Sequence, residues 1–314
     1  MKRLVIARRK IGHVFDVNIR RSLRILFKMQ AVITRRLRPT AYPYVTGDSF
    51  RVLADHVFDQ DATFDPVAVA ERDIVFVGQE FLKKFFTKIH PVIQTPYILI
   101  CHNGDAPVDH EIIEYIDDKI IHFFAQDVVV GHEKVTPIPI GLENLSYYIN
   151  GPTILFRYLH RIAKSFGGQR KNKIFFNFSV STNPTERGYA QDLFVKNPVM
   201  ETATRFLTPY RHGKTLMKYK FVASPPGNAI ESSRTWEALY LKTVPIVKGF
   251  VAMRYFESLG LPMWIVEDWS ELNSVTEKDL SKKYNEMMSA ASWDALHMDF
   301  WIKKIAKFKN SARE

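Results

Sequence analysis

After Pro39 the chain alternates short apolar runs with stretches of helical period, the mark of repeated βα units around a parallel sheet. Tyr42–Thr46 reads as a strand, followed by a helix over Asp48–His56 with Asp48 as its N-cap. Asp73–Val77 (DIVFV), Tyr97–Cys101 (YILIC), Ile120–Phe124 and Val135–Ile140 read as further strands. Helices are expected over Phe81–Ile89, after Pro107 and near Ile154–Ala163. The run Ser165-Phe166-Gly167-Gly168-Gln169-Arg170-Lys171 is the best linker candidate.

The alternation then restarts. Lys173–Phe178, Tyr219–Ala223, Val244–Val247 and Trp264–Val266 read as strands. Helices are expected after Pro184, over Glu231–Leu241, near Glu271–Ser289 and over Asp294–Phe308. The last carries Trp293, Phe300, Trp301 and Phe308 and is apolar enough to dock back across the gap between halves. The pattern predicts an α/β protein in three parts: a basic segment 1–40, a first α/β half 41–168 and a second 169–314. In such folds ligands sit outside the carboxyl ends of strands, so chemistry is sought just after them.

Composition narrows this picture. Of 314 residues, 46% are hydrophobic and 25% charged, which excludes disordered and rod-like chains. A single cysteine, Cys101, excludes an intramolecular disulfide framework. No apolar run approaches the ~18 residues of a membrane span, and no signal sequence is legible. A cytoplasmic protein, soluble or peripheral on a membrane, is expected.

Charge is concentrated at one end. Residues 1–40 hold 12 basic residues and one acid, which equals the net +11 of the whole chain and leaves the remainder neutral. Over 16–38, Ile19, Leu23, Leu26, Ile33 and Leu37 fall on one helical face, with Arg21, Arg24, Lys28, Arg35 and Arg38 nearly opposite. A basic amphipathic helix can lie on an anionic membrane, or pack on the body with a solvated face. With a neutral body and no recognition motif, nucleic acid is not the expected partner.

The most informative stretch is Ser224-Pro225-Pro226-Gly227-Asn228-Ala229-Ile230-Glu231-Ser232-Ser233-Arg234-Thr235-Trp236-Glu237-Ala238-Leu239, with Val244-Pro245-Ile246-Val247 downstream. It reads as a loop, a helix N-terminus bearing hydroxyls, then a strand. Gly227 permits close backbone approach. Ser232 and Ser233 stand at the positive end of the helix dipole, suited to a diphosphate. Arg234 adds a cation with bidentate geometry. Glu231 could hold sugar or ribose hydroxyls, as could Glu237 if its face lines the cleft.

The same run resembles the signature of exostosin-type glycosyltransferases, a Ser-x-Arg-x-x-Glu-Ala-Leu pattern followed by a Val/Ile-Pro-Val strand. Ser232, Arg234, Glu237, Ala238, Leu239, Val244 and Pro245 match, whereas Lys242-Thr243 replaces the family's Gly-Cys. The first half matches only in general architecture. The resemblance implies a GT-B fold of two Rossmann-like domains and an inverting sugar transfer from a nucleotide-sugar, commonly a UDP-sugar. It implies no essential metal, and no isolated Asp-x-Asp ends a strand; Asp117-Asp118 lies in a charged connection.

Such a transfer needs cations for the departing diphosphate, contacts to the sugar, and a base for the acceptor hydroxyl. Arg234 with the Ser232 and Ser233 amides is the first choice for the diphosphate. Arg187 is the second, with Asn177 and Ser179 at the strand end before it. Arg211 and His212, after Pro209-Tyr210, could flank the base or ribose. The acceptor base is expected from the first half: Asp105 or His102 after YILIC, or Asp48, with Asn103, Asp55, His56 and Glu143 also near strand ends. The acceptor would be a glycan or lipid-linked hydroxyl at a membrane surface. A non-catalytic nucleotide-sugar-binding module and a nucleic-acid protein using the basic arm are the rival readings. No P-loop and no Gly-x-Ser-x-Gly elbow is present.

Overall fold

The structure is a computed structural model and describes Met29 and residues 38–146, 153–165, 168–204 and 207–310. The expected amphipathic helix at 16–38 therefore lies outside the described residues, apart from Met29 and Arg38. The first half runs α1 (Gly47–Arg51), β1 (His56–Phe58), β2 (Ile74–Gly78), α2 (Leu82–Lys84), β3 (Tyr97–His102), α3 (His110–Ile113), β4 (Ile120–Ala125), β5 (Val135–Pro137) and α4 (Thr153–Lys164). The second runs β6 (Lys171–Phe176), α5 (Pro184–Phe194), β7 (Met200–Thr202), α6 (Pro209–Leu216), β8 (Tyr219–Ala223), α7 (Ser233–Tyr240), β9 (Val244–Lys248), α8 (Val251–Ser258), β10 (Trp264–Val266), α9 (Glu277–Ala290) and α10 (Met298–Asn310).

The strands form two parallel five-stranded sheets, an α/β architecture consistent with a GT-B fold. Their strand orders differ. The first is ordered β1-β2-β3-β4-β5, with no reversal. The second is ordered β10-β9-β8-β6-β7, the doubly wound order 2-1-3-4-5, which reverses between β6 and β8.

That difference decides how the halves meet. Successive side chains of a strand point to opposite faces. In the first sheet Val75, Val77, Leu99, Cys101, Phe123 and Ala125 face a core closed by Phe85, Phe86 and Ile112 from its own connections. Ile74, Phe76, Ile98, Ile100 and Phe124 face the other way. Right-handed crossovers in an order without reversal all fall on one side, so this second face is covered by other segments: Phe50 of α1 with Tyr44 and Val45 before it, and segments of the second half. Trp236, Leu239 and Tyr240 of α7, Ala252, Met253 and Phe256 of α8, and Trp301 and Ile305 of α10 pack there. The last helix thus lies against the first sheet, where Phe308 stacks on His122 at 3.9 Å and its carbonyl accepts from Arg72.

Several local expectations are corrected. Tyr42–Thr46 is not a strand: Pro43 lacks an amide donor, and only an isolated bridge joins Tyr44 to His297. Thr46, not Asp48, caps α1, its hydroxyl accepting from the Ser49 amide at 3.1 Å. The helix ends at Arg51, and His56 begins β1 instead of ending a helix. The helix expected over Phe81–Ile89 is a stretch of mixed pitch between residues 79 and 92. Arg38, assigned by periodicity to a solvated basic face, is buried. Its guanidinium meets Asp48 at 2.6 Å, Asp61 at 2.9 Å and Asp59 at 3.1 Å. Buried carboxylates require a cation, and Arg38 supplies it together with Arg51, 2.7 Å from Asp59.

Because α10 supplies a fully buried indole to the shared core, Trp301→Ala is expected to lower unfolding stability by about 3–5 kcal/mol. A denaturant titration reading both halves checks this. Loss confined to the second half would contradict a shared core.

Candidate functional site

A cavity of about 380 Å³ lies at the carboxyl edge of the second sheet. Its lining includes Asn177 at the end of β6 and Ser232, Ser233 and Arg234 in the segment after β8. Those two segments flank the strand-order reversal, where open α/β sheets place ligands. His212 of α6 and Glu237 of α7 line it, as do Leu155, Phe156 and Leu159 of α4. Glu143, from the segment after β5, is the acidic contribution of the first half.

The local sequence explains each position. Ser232 caps α7 in extended conformation, its hydroxyl accepting from the Arg234 amide at 3.4 Å. One turn apart, Arg234 and Glu237 share a stripe with Leu241. Trp236, Leu239 and Tyr240 form the opposite stripe in the shared core. Glu143 is placed by Gly141, whose φ of +68° suits glycine. A Cβ there would sit 2.2 Å from the Val45 carbonyl oxygen. The adjacent Leu142 amide donates to that oxygen at 2.9 Å.

Unpartnered donors and displaced titratable groups meet in this cavity. Nε and Nη1 of Arg234 are buried without hydrogen-bond partners, as is Nδ1 of His212. Burial, then the charge of Arg187, pulls the Arg234 pKa down to about 10 against the pull of Glu237. Burial and Arg234 hold His212 down to about 4, so its imidazole is neutral. Burial raises Glu237 to about 7; Arg234 opposes that rise and Glu143 adds to it. Glu237 lies 3.9 Å from His212. Buried polar groups are normally satisfied, and titratable groups displaced in this way cluster where ligands bind.

Of the residues expected to bind a donor, the cavity brings together Asn177, Ser232, Ser233, Arg234 and Glu237. The others are placed differently. Arg187 is buried and donates to the carbonyls of Ser179 (3.0 Å), Pro225 (3.1 Å) and Pro226 (2.9 Å) and to the Thr182 hydroxyl. It clamps the segments after β6 and β8 together. Gly227 is small for this clamp, not for a ligand: its Cβ would lie 2.7 Å from Arg187 Nη2. Ser179 is exposed and pairs with Ser181 at 2.8 Å. Arg211 is in the first turn of α6, outside the cavity lining. Glu231 faces the first half, accepting from the Ile140 amide and the Trp236 indole, both at 3.0 Å.

None of the three preferred bases lines the cavity. Asp48 is engaged by Arg38. His102 is buried, its Nε2 3.0 Å from the Pro139 carbonyl, and burial holds it down to about 4. Asp105 is exposed and accepts from Asn228 at 3.4 Å across the junction of the halves. Sequence reasoning missed Asp127, which accepts from the Glu231 amide at 3.1 Å. The signal was present, since Gln126-Asp127 directly follows β4. Among the described residues no group of three or more His, Cys, Asp or Glu is arranged to hold a metal, and no helix is long and apolar enough to cross a membrane.

Fold and cavity together define an α/β protein with two parallel sheets and a ligand cavity at the reversal point of the second. No family model and no curated protein matches the chain, so the exostosin resemblance rests on the segment from Ser232 to Val247 alone. Among solved structures it is similar to the spinosyn rhamnosyltransferase SpnG complexed with thymidine diphosphate. Identity is 10% and the TM-score 0.35, covering 76% of this chain and 68% of SpnG. The SpnG complex with spinosyn aglycone is similar at the same identity and TM-score, covering 75% and 69%. At that similarity nothing about activity passes from SpnG to this chain.

The raised Glu237 carboxyl has a thermodynamic signature. A carboxyl raised from 4.5 to about 7 on folding favours the fold below about pH 4.5, and this contribution is lost as pH rises through 7. The stability of the wild type relative to Glu237→Gln is therefore expected to fall across that window, by at most about 1.4 kcal/mol per pH unit. The depressed histidines act in the opposite sense below pH 6.5, but both proteins share them. Parallel stability curves from pH 4.5 to 7.5 would contradict the assignment.

Proposed function

We propose that this protein is a nucleotide-sugar-dependent glycosyltransferase of exostosin-like type. The observation that carries the reading is the pair of buried, unpartnered Arg234 donors beside the capped N-terminus of α7, at the reversal point of the second sheet. A guanidinium and oriented amides are the donors a diphosphate takes. A volume of 380 Å³ falls within the range of small-molecule sites. Glu237 and Glu143 line the same cavity and can accept hydrogen bonds from hydroxyls. Donors for phosphate and acceptors for a sugar in one cavity suit a nucleotide-sugar, and a UDP-sugar is our reading.

In this mechanism the acceptor oxygen attacks the anomeric carbon opposite the diphosphate, with inversion. The carbon–oxygen bond to the diphosphate breaks, and its electron pair leaves with the phosphate oxygen. Arg234 and the Ser232 and Ser233 amides stabilise the charge that develops there. The acceptor proton passes to a carboxylate from the first half. We assign this base to Glu143, the acidic residue of that half in the described cavity lining. Arg234 and the α7 amides supply the charge a metal would otherwise supply, so the transfer is proposed to proceed without one. A glycan or lipid-linked acceptor at a membrane surface, approached through the basic segment, completes the proposal.

The test is a thermal-shift panel of UDP, GDP, CMP and their common sugars with EDTA present. One nucleotide class at 100 times its Kd is expected to add about 2.7 kcal/mol of stability. Arg234→Ala is expected to weaken that ligand by about 1.5–3 kcal/mol, roughly ten- to a hundredfold in Kd. No shift with any nucleotide on folded protein would overturn the reading.

A further inference from the structure

Away from the cavity, the two halves meet at a pair of buried carboxyl groups. Asp127 is fully buried at the end of β4, and Glu231 is 4% exposed immediately before the α7 cap. Asp127 Oδ1 accepts from the Glu231 amide at 3.1 Å, and its Oδ2 accepts from Gln126 at 2.6 Å. Glu231 Oε2 accepts from the Ile140 amide and the Trp236 indole, whereas Oε1 is buried with no partner. Asp127 holds a φ of +54°, a left-handed conformation that costs a non-glycine residue energy. The chain tolerates this cost at the position that reaches across to α7.

Among the described residues, the titratable groups that bear most on the pair are acidic. Asp105 and the buried Cys101 thiol of β3 bear on Asp127, and Asp127 bears on Glu231. Among the described residues no lysine or arginine forms a salt bridge with either carboxyl. The remaining partners are neutral: Gln126, the Ile140 amide and the Trp236 indole. Two adjacent carboxylates shielded from water cannot both carry charge cheaply, and such a pair retains a proton.

We propose that Asp127 and Glu231 form a one-proton clasp that seats the N-terminus of α7 on the first half, and that loss of the proton releases it. Both are positioning residues. Glu231 directly precedes Ser232, so the clasp sets where the cap and Arg234 stand in the cavity. Burial, opposed by Gln126 and the Glu231 amide, raises Asp127 to about 6. Burial and then Asp127 push Glu231 well above the usual carboxylate range. Groups raised on closure favour the closed contact at low pH, and that preference is lost as pH rises through the raised values. The clasp stands independently of what the cavity binds.

The reporter is the Glu231 amide itself, the donor in the contact. Its hydrogen-exchange protection in the full chain, normalised to the intrinsic rate at each pH, is expected to fall about tenfold or more from pH 5.5 to 8.5. The limit set by one proton is about tenfold per pH unit. Glu231→Gln mimics the protonated form and is expected to hold protection flat. Asp127→Asn should do the same, since the Gln126 amide can turn to offer its unpartnered Oε1. Glu237 titrates on the same helix and remains in both variants, so what they remove belongs to the pair. Constant protection in the wild type, or wild-type pH dependence in Glu231→Gln, would overturn the clasp. UDP affinity should follow the same profile, an arm that rests on the nucleotide reading. If exchange follows pH while UDP binds at no pH, the clasp stands and the nucleotide reading falls.

Discussion

The structure depends on one unmet requirement of the first sheet. Its strand order has no reversal, so its own connections cover one face, and Ile74, Phe76, Ile98, Ile100 and Phe124 need cover from elsewhere. Parallel sheets are stable only with both faces buried. The cover comes from Phe50 of α1 and from α7, α8 and α10 of the second half. A single apolar core therefore holds the two halves together, with Trp236, Phe256 and Trp301 in edge-on contact near its centre. The junction that follows brings Asp127 and Ile140, just past their strands, up to Glu231, in the segment after β8.

Helix α7 carries three demands in eight residues. One stripe anchors in the shared core through Trp236, Leu239 and Tyr240. A second fastens to its own sheet, where Thr235 meets Ser224 at 2.8 Å and Ala238 is fully buried. The third presents Arg234 and Glu237 to the cavity. Two apolar anchors fix the helix firmly enough that the polar stripe can hold groups its surroundings disfavour. Buried charge opposes stability, and the cavity concentrates it. Burial draws Glu237 up to about 7 and Arg234 down to about 10, although the two attract each other.

What the sequence made legible followed from local chemistry. DIVFV and YILIC became β2 and β3 within a residue at each end, because four or five consecutive apolar residues can be buried only between two layers. The Ser-Ser-Arg run became a capped helix because a hydroxyl at that position has a backbone amide to accept from. What remained hidden was set by partners distant in sequence. Three-residue strands such as His56–Phe58 and Met200–Thr202 carry too little pattern to stand out, and only pairing defines them. Arg38 looked like one more cation of a basic face, and only the folding of Asp48, Asp59 and Asp61 around it shows otherwise. Arg187 was read as a phosphate ligand on sound local grounds. Its donors go instead to carbonyl oxygens eight to 39 residues away.

Arg187 still acts on the cavity through its charge. Its guanidinium is buried and solvated by carbonyl and hydroxyl dipoles, with no carboxylate among its hydrogen-bond partners. Dipoles can satisfy its donors but cannot cancel its net charge. That charge therefore bears on Arg234 and helps to lower its pKa. Two cations close enough to repel each other store an electrostatic cost that an anion between or beside them relieves. A ligand with more than one negative charge gains more from this arrangement than a singly charged one. The clamp and the field are thus two consequences of one residue: its hydrogen bonds shape the segment leading to α7, and its charge sets what that segment can hold.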